Sequence, residues 1–268
     1  MSHYQRIACL STEAVETLYA LGAEDVIAGI SGFTVRPPRA REEKTKISGF
    51  SSADLARILA VQPDLVIGFC AMQADICRDL VKAGIEVHQF NQRTVEGILR
   101  MIAVLAALVQ REEAGRTLIA RLRADIAAAR ARAAAWSRKP VIYFEEWNDP
   151  LMSGIGWAAE LIDIAGGTDA FPELSVHQGA RERIIADPLA VVRRAPDIII
   201  ATWCGKKFQP AQLTARPGWD AIPAVQNQML FEIKSPDILS PGPAAITEGL
   251  RQISDIIAQW QHQQEGPT

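Results

Sequence analysis

The sequence predicts an α/β protein of two lobes, each built on a parallel sheet, with one long α-helix joining them. Three features predict it: a repeated helix–turn–strand unit, strands that are apolar without alternation, and an uninterrupted helical pattern between the two copies.

The repeat comes first. "DLARILAVQPDLVIGFC" (54–70) aligns with "DPLAVVRRAPDIIIATWC" (187–204) on Pro63 and Pro196, and Asp54 then meets Asp187. Each copy reads as a helix, a Pro-Asp turn and a short strand. The proline ends the helix and sets φ for the turn. "LVIGF" and "IIIAT" are apolar throughout, as suits parallel strands buried on both faces.

A second correspondence precedes each copy. "RIACLSTEAVETLYALGA" (6–23) reads as a strand, a polar turn and a helix ending in Leu-Gly. "PVIYFEEWNDPLMSGIGWAAELIDIAGG" (140–167) has the same order with a longer connection. Ser11 or Thr12 suits the first helix N-cap, with Glu16 near its third position. Gly22 and Gly166 stand where helix C-caps belong. "GIEVHQF" (84–90) and "QMLFEI" (228–233) are further strands; 94–109 and 244–260 are amphipathic helices.

Between the halves, residues 111–136 hold no proline and one glycine, and Leu118, Leu122 and Ile126 recur at i, i+4 and i+8. At about 1.5 Å per residue such a helix spans roughly 37 Å. The expected organisation is an N-terminal α/β lobe (1–109), a connecting backbone helix (110–137) and a C-terminal α/β lobe (138–268).

Composition narrows the function. Apolar residues at 49% and charged residues at 22% fit a globular chain with a sizeable core, and a net charge of −3 gives no basis for nucleic-acid binding. No apolar run is long enough for a transmembrane helix. "MSHYQRIACLSTEA" lacks the charge and apolar pattern of a signal peptide. As the chain stands it reads as cytoplasmic, with a periplasmic location as the alternative if a signal peptide was removed. Cys9, Cys70, Cys77 and Cys204 are scattered and read as free thiols.

Four stretches carry a resemblance to a known family: "CLSTEAVETLYALGAEDVIAGIS" with the following "RPPRA", "ISGFSSADLARILAVQPDLVIGF", "FEEWNDPLMSGIGWAAELIDIAGGTDAFPEL" and "RRAPDIII". Over about residues 6–260 the sequence resembles the cobalamin-binding branch of the helical-backbone (class III) ABC-type substrate-binding proteins. The resemblance implies two Rossmann-like lobes with parallel sheets joined by one long α-helix, the helical-backbone metal-receptor type. It implies a binding protein for cobalamin or a related corrinoid, without catalysis and without a cofactor of its own. The partner is a small-molecule metal chelate, and the chain is expected to be a monomer. In this family a surface glutamate seven residues before the proline of each repeat docks on the ABC permease. Here those positions are Ala56 and Leu189, so the docking carboxylates are missing. Asp54 and Asp187, two residues earlier, suit helix N-termini.

The resemblance places the ligand in a cleft between the lobes, and open α/β sheets independently bind ligands at the carboxyl ends of their strands. The residues expected there are Ser11, Thr12 and Glu13 after the first strand, and Phe50 after the Arg-Pro-Pro loop. Phe69, Cys70, Met72 and Gln73 follow "LVIG". Glu145, Glu146, Trp147, Asn148 and Asp149 follow "VIYF". Trp203 and Lys206 follow "IIIAT", and Asp237 follows "LFEIK". Phe50, Phe69, Trp147 and Trp203 are expected to cover the apolar face of a macrocycle. Glu145 and Glu146 are expected as polar rim groups, with Lys206 and Lys207 as their positive counterparts.

Other chemistries fare less well. No nucleophile-elbow, P-loop or dinucleotide motif is present, and His3, His88, His177 and His262 are far apart. Glu145 and Glu146 as strand neighbours point to opposite faces, which argues against an acid/base dyad. A hard-cation site from Glu13, Glu145, Glu146 and Asp149 is the weaker use of these carboxylates. The alternatives are a cytoplasmic metal-chelate or tetrapyrrole-handling enzyme or chaperone, and a siderophore-binding receptor.

Overall fold

The computed structural model describes residues 3–265. The chain forms two compact units. The first comprises the chain up to Gln92, Glu96–Leu122 and Ser240–Pro243; the second comprises Arg93–Val95, Arg123–Leu239 and the chain from Ala244 onward.

The first unit is a five-stranded sheet of order β3-β2-β1-β4-β5, with strands β1 (Ile7–Cys9), β2 (Ile27–Ser31), β3 (Lys46–Ser48), β4 (Leu65–Phe69) and β5 (Val87–Phe90). Every pairing is parallel. β1 and β4 are buried along their whole length, as their unbroken apolar sequences require. The sequence reading missed β2 and β3: "IAGIS" and "KIS" are short and contain glycine and serine, and tertiary pairing makes them strands.

The second unit has order β10-β9-β6-β7, from β6 (Val141–Asn148), β7 (Leu151–Ser153), β8 (Thr168–Asp169), β9 (Ile198–Ala201) and β10 (Leu230–Glu232), with β8 also on β6. It departs from the expected all-parallel sheet, because β6 and β7 pair antiparallel. The strand runs on through Glu145–Asn148 and returns through the turn at Asp149 and Pro150, so these residues are strand and hairpin, not a strand-end loop. The core holds Trp157, Trp219 and Trp260, all but fully buried, and Tyr143 edge-on to Phe171 and Trp219.

The sequence repeat has a structural meaning. Asp64 accepts the Gln5 and Arg6 backbone N–H groups at 2.6 and 3.0 Å, and Asp197 accepts the Val141 N–H at 2.9 Å. Each Pro-Asp turn thus anchors the start of its unit's central strand. The residue before each proline pair, Gln62 or Ala195, is left-handed, with φ of 46° and 44°. Asp54 and Asp187 accept the N–H groups of Ala56 and Leu189 at 2.9 and 3.0 Å, so both cap helices, and Arg193 pairs with Asp187 at 2.6 Å. Ala56 and Leu189 are exposed.

The long helix is Glu112–Ala133, about 33 Å at its ordinary rise. Leu118, Leu122 and Ile126 are buried along it. The division between the units falls inside it, after Leu122, and not at its ends. Among the described residues no helix is long and apolar enough to cross a membrane.

Candidate functional site

In the first unit the carboxyl ends of the parallel strands carry Ser11, Thr12, Glu13, Phe50 and Phe69. Ser11 and Glu13 are nearly fully buried, and Thr12 is half-buried with its hydroxyl 2.9 Å from that of Ser240. Gly242 lies directly against Glu13: a Cβ there would stand 2.7 Å from the Glu13 Cβ. Thr12 and Glu13 are therefore packed under Ser240–Pro243. Phe69 is buried at 5% exposure and Phe50 is half-buried. Two large apolar side chains on the same edge are open: Phe33 at 64% and Met72 at 59%. Phe33 follows β2 and lies beside Gly49, where a Cβ would stand 3.7 Å from its ring. Sequence reasoning missed Phe33 because it had not recognised β2 as a strand.

In the second unit the two adjacent glutamates face opposite ways and neither pairs with the expected lysines. Glu145 is wholly buried and is no rim group. Arg216 donates to both of its oxygens at 2.6 and 2.9 Å, and the Trp203 indole N–H donates to Oε1 at 2.8 Å. The guanidinium also lies 4.4 Å from the Trp219 ring centre. A bidentate, charge-assisted pair with a third donor satisfies a carboxylate that would otherwise be costly to bury. Burial, and then the charge of Glu145, hold the Tyr143 phenol well above its usual range. Glu146 is partly exposed and pairs with Arg183, whose Nη1 stands 2.5 Å away and also donates to the Ser153 carbonyl at 2.7 Å. Spacing could not reveal these partners, since Arg216 and Arg183 lie 71 and 37 residues away.

Trp203 is buried at 3% exposure, edge-on to Phe208. Its indole braces Glu145, so it forms the wall behind the surface. Trp147 is half-buried, donates its indole N–H to the Asp149 carbonyl at 2.7 Å, and carries the Lys206 ammonium 4.1 Å from its ring centre. Lys206 is exposed and also reaches Asn148 Oδ1 at 3.4 Å. It thus rests on an aromatic face and an amide, not on a carboxylate. Asp237 is half-buried on the short helix Ser235–Ile238 and accepts from Gln252 at 3.1 Å. His177 is exposed, 3.9 Å from Glu182. Among the described residues no group of three or more His, Cys, Asp or Glu side chains is gathered to hold a metal ion.

Residues 7–236 match the family described as periplasmic binding protein. A vitamin B12-binding protein of Vibrio campbellii is 27% identical over 209 residues, covering 74% of this chain and 70% of that protein. Two solved structures share the fold. The periplasmic vitamin B12-binding protein of Vibrio cholerae superposes with a TM-score of 0.78 at 19% identity, over 96% of this chain and 98% of that one. A periplasmic haem-binding protein of Roseiflexus superposes with a TM-score of 0.80 at 21% identity, over 94% and 98%. The family consists of binding proteins, not catalysts, and its match spans the central strands of both units. The chain belongs to the periplasmic binding protein family.

Proposed function

We propose that the protein binds cobalamin or a related corrinoid through the strand-end surfaces of its two units. The observation that carries this reading is the set of open flat or apolar side chains at those ends: Phe33, Met72 and half-buried Phe50 in one unit, and Trp147 topped by Lys206 in the other. A corrin offers a broad apolar face and a rim of amides. Aromatic rings cover such a face, and a few polar groups fix its orientation. The relatives named for vitamin B12 support the same ligand class.

Haem fits less well. Tyr4 and Tyr19 donate their hydroxyls to Glu86 and Glu43 at 2.6 and 2.7 Å, and Tyr143 is wholly buried, so none offers an axial phenolate. The names of the relatives favour a periplasmic over a cytoplasmic location. In an ABC transport setting, docking would rest on apolar Ala56 and Leu189 where carboxylates were expected, since Asp54 and Asp187 are engaged as helix caps.

Calorimetric titration with cyanocobalamin, haemin and a ferric hydroxamate tests the reading. Cyanocobalamin is expected to bind; no corrinoid binding at roughly 100 μM would overturn it. Trp147→Ala should weaken binding about tenfold, which corresponds to about 1.4 kcal/mol, with little change in melting temperature.

A further inference from the structure

We infer that Gln73 is the positioning residue of the first unit's ligand surface, holding three strand ends in register with one buried amide. The inference rests on the reading of that surface as the corrinoid site. Gln73 is wholly buried in the turn that follows β4. Its Oε1 accepts the Phe69 N–H at 2.8 Å. Its Nε2 donates to the Leu10 carbonyl at 3.1 Å and to the Phe50 carbonyl at 2.8 Å. Those three backbone groups belong to the segments after β1, after β3 and at the end of β4. Each segment carries expected ligand residues: Ser11 and Thr12, Phe50, and Phe69 with the open Met72.

Only a carboxamide suits the position. It presents two donors and an acceptor on one planar group, whereas a carboxylate offers no donor and an ammonium no acceptor. The turn it braces is unusual in itself: Cys70 is left-handed at φ 62°, and Gln89 donates to its carbonyl at 2.6 Å from the neighbouring strand. Glycine at 68 is part of the arrangement, since a Cβ there would stand 2.1 Å from Gln89 Oε1 and 3.0 Å from Gln73 Oε1. A side chain in the middle of a sheet end, bonded to three different backbone segments, fixes where their loops can stand relative to one another.

The test is hydrogen exchange on the ligand-free protein, paired with cyanocobalamin titration, for wild type and Gln73→Met. Positioning predicts exchange raised about tenfold or more in three separate segments, Ser11–Thr12, Phe50–Ser52 and Phe69–Met72. Protection in β2 and throughout the second unit should be unchanged, and cyanocobalamin affinity should fall about tenfold. A general packing defect would instead raise exchange across the whole sheet. Unchanged exchange in the three segments overturns the inference, as does wild-type affinity in the variant. If wild type binds no corrinoid, the ligand reading fails, while the exchange pattern still decides whether Gln73 positions the loops. Should Gln73→Met not fold, Gln73→Asn serves. It keeps the neutral amide but draws it back by one methylene, out of reach of its partners, so the same three segments should exchange faster than in wild type. Protection retained in all three overturns the inference.

Discussion

The two units solve one problem in two chemical currencies. Each must hold neighbouring strand ends in place with a polar group that water cannot reach. In the first unit a neutral amide, Gln73, bonds backbone to backbone. In the second a carboxylate, Glu145, bonds side chain to side chain, with Arg216 and Trp203 as partners. The amide needs no counter-charge, so all three of its partners are main-chain groups, at Phe69, Leu10 and Phe50. The carboxylate needs a cation, and the chain supplies it from a distant loop. A neutral hub ties the main chain directly, whereas an ionic hub fixes the side chains that stand on it.

Exchanging the two groups is the most severe way to break the comparison. Glu145→Gln leaves Arg216 without its anion, and Gln73→Glu sets a carboxylate against two carbonyls with no cation at hand. Each should cost about 3–5 kcal/mol in urea denaturation at neutral pH. The two should differ in pH dependence. The new carboxyl at 73 would have a raised folded-state pKa, so the ionisation part of its cost is absent below the ordinary glutamate value of about 4.3 and grows as pH rises above it. A Gln73→Glu variant equally unstable at acid and neutral pH would refute the description of that hub as anion-intolerant.

A milder change separates bracing from ligand contact. Trp203→Phe keeps the ring against Phe208 but removes the N–H donated to Glu145. It should cost about 1.5–3 kcal/mol, the usual worth of a hydrogen bond to a charged group, with corrinoid affinity nearly unchanged. Affinity lost without stability would return Trp203 to the ligand surface.

The smallest effect concerns the repeat itself. Arg193, and then the Leu189 N–H, hold the Asp187 carboxyl below its ordinary range. Its contribution is therefore complete above about pH 3.9 and is lost as pH falls through the lowered folded-state value. Asp187→Asn should flatten the fall in melting temperature between about pH 5 and pH 2.5. Parallel melting curves would remove Asp187 from the acid response.

The sequence made some of this visible and hid the rest for identifiable reasons. Pro63-Asp64 and Pro196-Asp197 were legible because a proline and an aspartate at a helix-to-strand turn leave few choices of backbone, and both anchor a central strand. The helix of residues 112–133 was legible through its buried stripe. β2, β3 and the hairpin after Asn148 were not, since short strands take their identity from what they pair with. Glu145 and Glu146 read as rim groups facing Lys206 and Lys207, because a pattern along the chain cannot show that Arg216 and Arg183 arrive from other loops. Gln73 was placed at the right strand end, yet nothing local marks a glutamine whose partners are the carbonyls of Leu10 and Phe50.

Ser240–Pro243 has a consequence for how the protein is made. This short segment belongs to the first unit, bonding Thr12 through Ser240 and accepting from Gln92 at the Pro241 carbonyl, 3.0 Å away. The remainder of the first unit has been synthesised once Leu122 is added, about 120 residues earlier. At about 5–20 residues per second, the unfinished unit waits roughly 6–24 s for its last piece. Synthesis therefore closes the molecule from its far end, and no single cut yields a whole first unit and a whole second one.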